Sequence, residues 1–284
     1  MKRRLLLSGL PLGLCTGLAA WASAAHAQTT PAKGTLRVAA ASDLQFALQA
    51  IAPAFEQASG WRLVVTLGSS GQLAQQIAQG LPADVFMSAD EALIARLATA
   101  GLTQNAGALY GLGRVVWVWG AGATGSAFAP AAGDSALAAS LSTAQFKSKH
   151  GAQFAAHIQA AQKFSIANPE HAPYGLAAKQ ALTSLGLLQA VQSKLVVGEN
   201  IAQATQFVST GAAQAGISAL PLLRGTALGK HLPHLLLPAN LHAPLRQRMV
   251  ALKRGGAGAQ AFVDYMQTAA ARALLAGFGF DGVG

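Results

Sequence analysis

Cysteine is nearly absent from this chain. The single one, Cys15, lies in the N-terminal segment. A chain with one cysteine forms no internal disulfide bond and offers no thiolate cluster to a metal. Leu14 precedes Cys15, whereas a lipoprotein signal requires a small residue at that position, so we do not expect lipidation. A mature chain without cysteine is compatible with the periplasm of a Gram-negative bacterium.

Acidic residues are also scarce, with 10 Asp and Glu against 20 Lys and Arg and a net charge of +10. No two acids form an obvious acid–base pair, and a Gly-x-Ser-x-Gly motif is absent. These absences favour a binding protein over a secreted enzyme, which is the second class considered. The basic excess attracts anions. Because the basic residues are scattered and aromatic residues do not alternate with them, we do not expect nucleic acid as a partner.

Beyond the N-terminus, no apolar run is long enough to span a bilayer, which takes about 20 residues. The N-terminus itself has three basic residues at positions 2–4, an apolar run to about Trp21, and small residues at Ala25 and Ala27. This layout predicts a signal peptide at residues 1–27 that is cleaved after Ala27. We therefore expect a soluble protein exported to the periplasm.

Short apolar segments, each followed by a turn of small residues and an amphipathic pattern, are abundant in the rest of the chain. They predict strands at 36–40, 63–67, 85–87, 115–119, 164–167, 195–197 and 215–217, and helices at about 44–59, 73–80, 176–185, 201–209 and 258–277. Residues 120–140, rich in Ala, Gly and Ser, are interpreted as loop and short helix. Strands alternating with helices predict an α/β fold with mostly parallel sheets. Ligands of such sheets bind at the carboxyl ends of the strands.

Four of the predicted strand-to-helix turns carry small or polar residues: Ser42-Asp43, 69–71, 173–175 and Asn200-Ile201. The start of a helix has unpaired N–H groups and a partial positive charge, so it binds anions without a charged side chain. A serine adds a hydroxyl donor. Taken singly, each serine is also compatible with a plain helix cap, and Tyr174 with a packing residue.

The chain resembles the periplasmic molybdate-binding proteins of ABC importers along nearly its whole mature length. The resemblance is carried by AAAS at 39–42, GSS at 68–70 followed by LAQQI at 73–77, PADVFMSAD at 82–90, and NPEHAPYG at 168–175. The Pro-Ala-Asp and Pro-Glu-His segments are its most specific parts. The order and spacing of all these segments match the family.

The resemblance implies a two-lobed type II periplasmic binding protein fold, with mixed, mostly parallel sheets flanked by helices and the ligand in the cleft between the lobes. We expect the first lobe to comprise residues 28–113 and 223–284, and the second lobe residues 114–222. The implied ligand is molybdate or tungstate, and the implied partner is the membrane permease of an ABC importer. No cofactor is implied, and a monomer is expected.

By position, the resemblance implies that Ser42 and Ser70 supply hydroxyl and backbone donors, and that Tyr174 and Ile201 supply mainly backbone N–H groups. Asp43 and Gly71 are further candidates. Any metal is reached only through the oxyanion, with no direct protein ligand.

The chain departs from the family at two of these positions. Some members have a tyrosine donor where this chain has Ala219, so the donor set differs there. The carboxylate of Asp43 would repel a dianion, so we expect it to point away or to cap its own helix.

A site that contains only donors suits a fully deprotonated tetrahedral dianion, because such an anion offers only acceptors. It disfavours a protonated phosphate, whose O–H needs an acceptor. Sulfate has the same charge and shorter bonds, so only the size of the cavity separates it from molybdate. A binding protein of the same fold for sulfate, phosphate or a small organic anion is the alternative. None of the four turns holds the arginine that organic anions usually recruit.

Overall fold

The computed structural model describes residues 33–120 and 140–282. The predicted signal peptide at 1–27 and most of the predicted loop at 120–140 lie outside these residues. Within them, ten strands form two five-stranded sheets: β1 Gly34–Ala41, β2 Trp61–Gly68, β3 Val85–Ser88, β4 Ala108–Gly113, β5 Val115–Trp119, β6 Phe164–Ala167, β7 Leu195–Gly198, β8 Ala215–Ala219, β9 His234–Leu236 and β10 Leu245–Ala251.

The helices that join and cover these strands are mostly short. They are α1 Gln45–Ser59, α2 Ser70–Ala78, α3 Glu91–Thr99, α4 Thr143–Ala160, α5 Pro173–Leu185, α6 Leu188–Gln192, α7 Ile201–Ser209, α8 Leu220–Leu223, α9 Ala227–His231, α10 Ala257–Met266 and α11 Ala269–Gly277, with 3-10 turns at Ser42–Leu44 and Ala239–Leu241. None of the helices in the described ranges is long and apolar enough to cross a membrane.

The two sheets share one topology. In the first, the order is β2-β1-β3-β10-β4, with β1 parallel to β2 and β3, and β10 antiparallel to β3 and β4. In the second, the order is β7-β6-β8-β5-β9, with β6 parallel to β7 and β8, and β5 antiparallel to β8 and β9. The predicted two-lobed α/β type II fold is confirmed, with one sheet at the centre of each lobe.

The chain passes from the first sheet to the second at Arg114, between β4 and β5. Strand β9 pairs with β5 in the second sheet, and the chain rejoins the first sheet between Leu236 and Leu245. The bounds proposed for the two lobes stay a prediction.

Local sequence explains where the first helix and the C-terminal helices begin and end. Leu48, Ile51 and Phe55 form the buried face of α1, and Gly60 ends that helix in the left-handed conformation (φ 74°). The single helix predicted at 258–277 is two helices, because the side chain of Thr268 caps α11 by accepting from the N–H of Ala271.

Each sheet has a large cluster of buried apolar side chains, and the cluster of the second sheet also includes Ala41 and Ala89 of the first lobe. One packs β1 and β3 against α1 and α10, and includes an edge-to-face contact of Phe55 with Phe262. The other surrounds the second sheet, where Trp117 stacks on Phe154 at 4.1 Å between ring centroids. These packed lobes fix the turns that follow the carboxyl ends of β1, β2, β6 and β7.

Candidate functional site

A small cavity of about 10 Å³ lies where the turns of the two lobes meet. Its lining combines both lobes: Ala41, Ser42, Asp43, Gly68, Ser69, Ser70 and Ala89 from the first, and Ala172, Pro173, Tyr174 and Ile201 from the second. The structure thus brings the four predicted donor residues, Ser42, Ser70, Tyr174 and Ile201, to one place. A cavity of this volume has room for about one water molecule, whereas pockets for drug-sized molecules measure about 300–1,000 Å³. It therefore excludes molecules of that size.

The hydroxyl of Ser42 is held by a hydrogen bond between the lobes. Ser42 is the first residue of a 3-10 turn and is 3% exposed, and its Oγ accepts from the backbone N–H of Ala202 at 3.3 Å. Since the oxygen accepts this bond and donates to no protein group in the described residues, its hydrogen remains to donate into the cavity.

Ser70 is arranged in the same way inside the first lobe. Its Oγ accepts from the backbone N–H of Ala89 at 3.0 Å, and the residue is 1% exposed. From the sequence, each of these serines could also have been a plain helix cap, but neither Ser70 nor Ser42 caps a helix. The cap of α2 is Ser69, which accepts from the N–H of Gln72, and the turn at Ser42 has no side-chain cap.

Three helix N-termini supply backbone donors at the cavity. Ser70 begins α2, Ile201 begins α7, and Tyr174 is the second residue of α5, after Pro173. N–H groups in the first turn have no partner within their helix, and the helix dipole makes this end partly positive. Among the described residues, no lysine or arginine lines the cavity. The geometry therefore offers neutral donors from both lobes to an anion.

Asp43 behaves differently from the expectation that it would point away or cap its own helix. It is fully buried and lines the cavity, and its turn has no side-chain cap. Its Oδ2 accepts from Nε2 of Gln247 at 2.7 Å, whereas its Oδ1 has no hydrogen-bond partner within residues 33–120 and 140–282. The site is therefore not made only of donors.

A buried hydrogen-bond network surrounds this carboxyl group. Gln247 of β10 also donates from Nε2 to the hydroxyl of Tyr174 at 3.1 Å, and its Oε1 accepts from the hydroxyl of Tyr110 at 2.6 Å. Burial raises the pKa of Asp43 to about 6, although hydrogen bonds from Gln247 and Tyr174 partly oppose the shift. The hydroxyl of Tyr174 is engaged in this network, so the donor that this residue can still offer is its backbone N–H, in the first turn of α5.

Gly71 does not line the cavity, in contrast to its place among the candidate donors. Its N–H donates to the carbonyl oxygen of His171 at 2.9 Å, so it is not available to an anion. Beside this bond, Ser69 Oγ donates to the same carbonyl at 2.8 Å and lies 2.7 Å from Nδ1 of His171. Further out, Gln72 donates to Glu199 at 2.8 Å. These contacts join the two lobes at the rim of the cavity.

Ala219, where the family resemblance implied a missing donor, is fully buried and does not line the cavity. Sequence reasoning missed Gln247 and Tyr110, because β4 and β10 were not predicted. The sequence does contain a signal for Gln247, because this residue shares the buried face of β10 with the apolar residues Leu245, Met249 and Ala251. A polar residue on such a face needs a partner.

Nearly the whole sequence is similar to known molybdate-binding proteins. The chain is 34% identical to the molybdate-binding protein ModA of Azotobacter vinelandii over 96% of its own length and 97% of the relative's. It is 28% identical to ModA of Rhodobacter capsulatus, over 96% and 99% of the two lengths.

Among solved structures, the periplasmic molybdate-binding protein of Azotobacter vinelandii superposes with a TM-score of 0.70 and 29% identity, covering 88% of this chain and all of that one. The family model described as bacterial extracellular solute-binding protein matches residues 36–281. The chain therefore belongs to the family of bacterial extracellular solute-binding proteins, which bind solutes and are not enzymes.

Proposed function

We propose that this protein binds molybdate or tungstate in the cavity between its lobes and delivers the anion to the permease of an ABC importer. The observation that carries the proposal is the convergence of two serine hydroxyls and three helix N-termini on one small cavity without lysine or arginine. The similarity to molybdate-binding proteins along nearly the whole chain supports it.

The donors fit the chemistry of a tetrahedral dianion. Such an anion presents four oxygens that only accept hydrogen bonds. The Oγ atoms of Ser42 and Ser70 each accept from a backbone N–H of the protein, so their hydroxyl hydrogens are free to donate to the anion. Hydrogen bonds to a charged group contribute about 1.5–3 kcal/mol each. Several such hydrogen bonds together are enough for tight binding without a positively charged side chain.

Delivery to a permease follows from the family rather than from any surface of the described residues. The protein acts in the periplasm as a monomer, after removal of residues 1–27, and does not bind nucleic acid. Because the lining comes from both lobes, the anion favours the closed arrangement by its higher affinity for it. The permease would recognise that arrangement.

Calorimetric titration of the mature protein with molybdate, tungstate, sulfate and phosphate tests the proposal. We expect one-to-one binding of the first two anions, and loss of that binding in the double variant Ser42→Ala and Ser70→Ala. The matched control is the double variant Ser148→Ala and Ser193→Ala, which removes two exposed hydroxyls away from the cavity. Absence of heat with molybdate and tungstate, or an equal preference for sulfate, would refute the ligand assignment.

A further inference from the structure

The carboxyl group of Asp43 has one oxygen that is satisfied and one that is not. Oδ2 accepts from Gln247, whereas Oδ1 is buried and has no partner among the described residues. Asp43 lines the cavity that we assign to the oxyanion. A buried polar atom without a hydrogen bond destabilises a protein by about 1–3 kcal/mol. An atom of this kind at a ligand cavity indicates that a partner is supplied when the ligand binds.

An ionised carboxylate is the wrong partner for a dianion, since both would only accept hydrogen bonds and both are negative. A neutral carboxylic acid is the right one, because its O–H donates. The proton of that acid must sit on Oδ1, since Oδ2 already accepts from an N–H of Gln247.

We propose that Asp43 takes up one proton from solvent when the oxyanion binds, and that its Oδ1–H then donates to an oxygen of the bound anion. This inference rests on the proposed function and extends it by making anion capture dependent on pH. One proton is consumed for each anion bound, and the same proton returns to solvent when the anion leaves.

The groups around Asp43 indicate that this residue, and not the tyrosines beside it, changes its protonation state. The side chains that face its carboxyl are Gln247 of β10, Tyr174 of α5 and Tyr110 of β4. Burial, together with the charge of Asp43, raises the pKa of both tyrosines well above the ordinary value, so they remain neutral. Of the helices that pack on the same turn, α7 and α8 contain no charged residue. Helix α1 contains one, Glu56, whose carboxylate accepts from the backbone N–H of Leu63.

The free protein is poised for this change. Burial places the pKa of Asp43 at about 6, so the group is mainly ionised at pH 7.5 but needs little free energy to become neutral. A dianion beside Oδ1 raises that pKa further, because it favours the neutral form. Linkage then requires the dissociation constant to rise about tenfold per pH unit above pH 6, which is roughly 50-fold between pH 6 and pH 8.

The test is calorimetric titration of the mature protein with molybdate at pH 7.5 in two buffers of different ionisation enthalpy. We expect a difference in heat that corresponds to the uptake of about one proton per anion. The amide of Asp43→Asn can donate a hydrogen bond without first taking up a proton from solvent. In this variant we expect binding to persist and proton uptake to vanish. We expect its dissociation constant to change less than about twofold between pH 6 and pH 8. The matched control is Asp264→Asn, at an exposed acid outside the cavity.

Binding of molybdate by the wild-type protein without proton uptake would overturn this inference and leave the proposed function intact. Equal proton uptake by Asp43→Asn and the wild type would also overturn it. If none of the four anions binds, the proposed function fails, and this inference fails with it. Should Asp43→Asn not fold, the comparison of buffers on the wild-type protein still decides.

Discussion

The backbone N–H of Gly71 donates to the carbonyl oxygen of His171 across the cleft, at 2.9 Å. A Cβ atom on Gly71 would lie 2.5 Å from that oxygen, which is closer than the two atoms can approach. Only glycine at position 71 therefore allows the first turn of α2 to contact the turn before α5. The contact holds the lobes together at the rim of the cavity.

Gly71→Ala is expected to weaken anion binding, because the added methyl group keeps the lobes from meeting. We expect the dissociation constant to rise at least about tenfold, which corresponds to about 1.4 kcal/mol. Each lobe should keep its own packing, so the circular dichroism spectrum should not change. The control is Gly277→Ala, where a Cβ atom would meet nothing within 4 Å. Wild-type affinity in Gly71→Ala would show that the contact is not needed for binding.

Asp43→Asn is expected to stabilise the protein without ligand at neutral pH. Because burial raises the folded pKa of Asp43 from 3.8 to about 6, the folded state prefers the protonated group. Its favourable contribution is complete below about pH 3.8 and is lost as the pH rises through 6. The variant should therefore gain up to about 3 kcal/mol in free energy of unfolding at pH 7.5, and less than about 1 kcal/mol at pH 4. Denaturant unfolding at both pH values measures this, and an equal effect at the two would contradict it.

Gln247→Leu is expected to destabilise the protein, more strongly at high pH. The substitution removes the donor to Asp43 Oδ2 and the acceptor for Tyr110, and each buried group left without a partner costs about 1–3 kcal/mol. Loss of the hydrogen bond from Gln247 also raises the pKa of Asp43 further, so ionisation at pH 8 is more unfavourable. Thermal unfolding at pH 5 and pH 8 tests both statements. Gln260→Leu, at an exposed glutamine, should change stability by less than about 0.5 kcal/mol.

Expression of the full-length chain in a Gram-negative host should yield a periplasmic protein that begins at Gln28. We expect the basic residues at 2–4, the apolar run and the small residues at Ala25 and Ala27 to direct export and cleavage. Mass spectrometry of the periplasmic fraction gives the N-terminus directly. A mass that still includes residues 1–27 would contradict the predicted cleavage.

Local sequence was sufficient for the strands and turns of the cavity, because the pattern of apolar residues and small turn residues is read within about ten positions. It placed β5, β6 and α7 at their observed bounds and identified the turns at Ser42 and Ser70. The same reasoning missed β10, where Arg246 and Arg248 alternate with the buried residues and hide an apolar strand.

Contacts between distant parts of the chain were beyond this reasoning. The carboxyl of Asp43 is held by Gln247, 204 residues later in the sequence, so its orientation could not be inferred from its own turn. Gly71 stands in a turn that offers donors, yet its N–H is taken by a carbonyl 100 residues away. Both outcomes depend on how the two lobes meet, which no local pattern encodes.

The hydrogen bond from Ala202 to Ser42 ties the residence time of the anion to the motion of the lobes. Ser42 belongs to the first lobe and Ala202 to the second, and the side chains that line the cavity around them are almost inaccessible to solvent. If the anion binds in this cavity as we propose, its release requires this bond to break and the lobes to separate. We therefore expect release to be no faster than lobe opening, so that a permease that separates the lobes would determine when the anion is released.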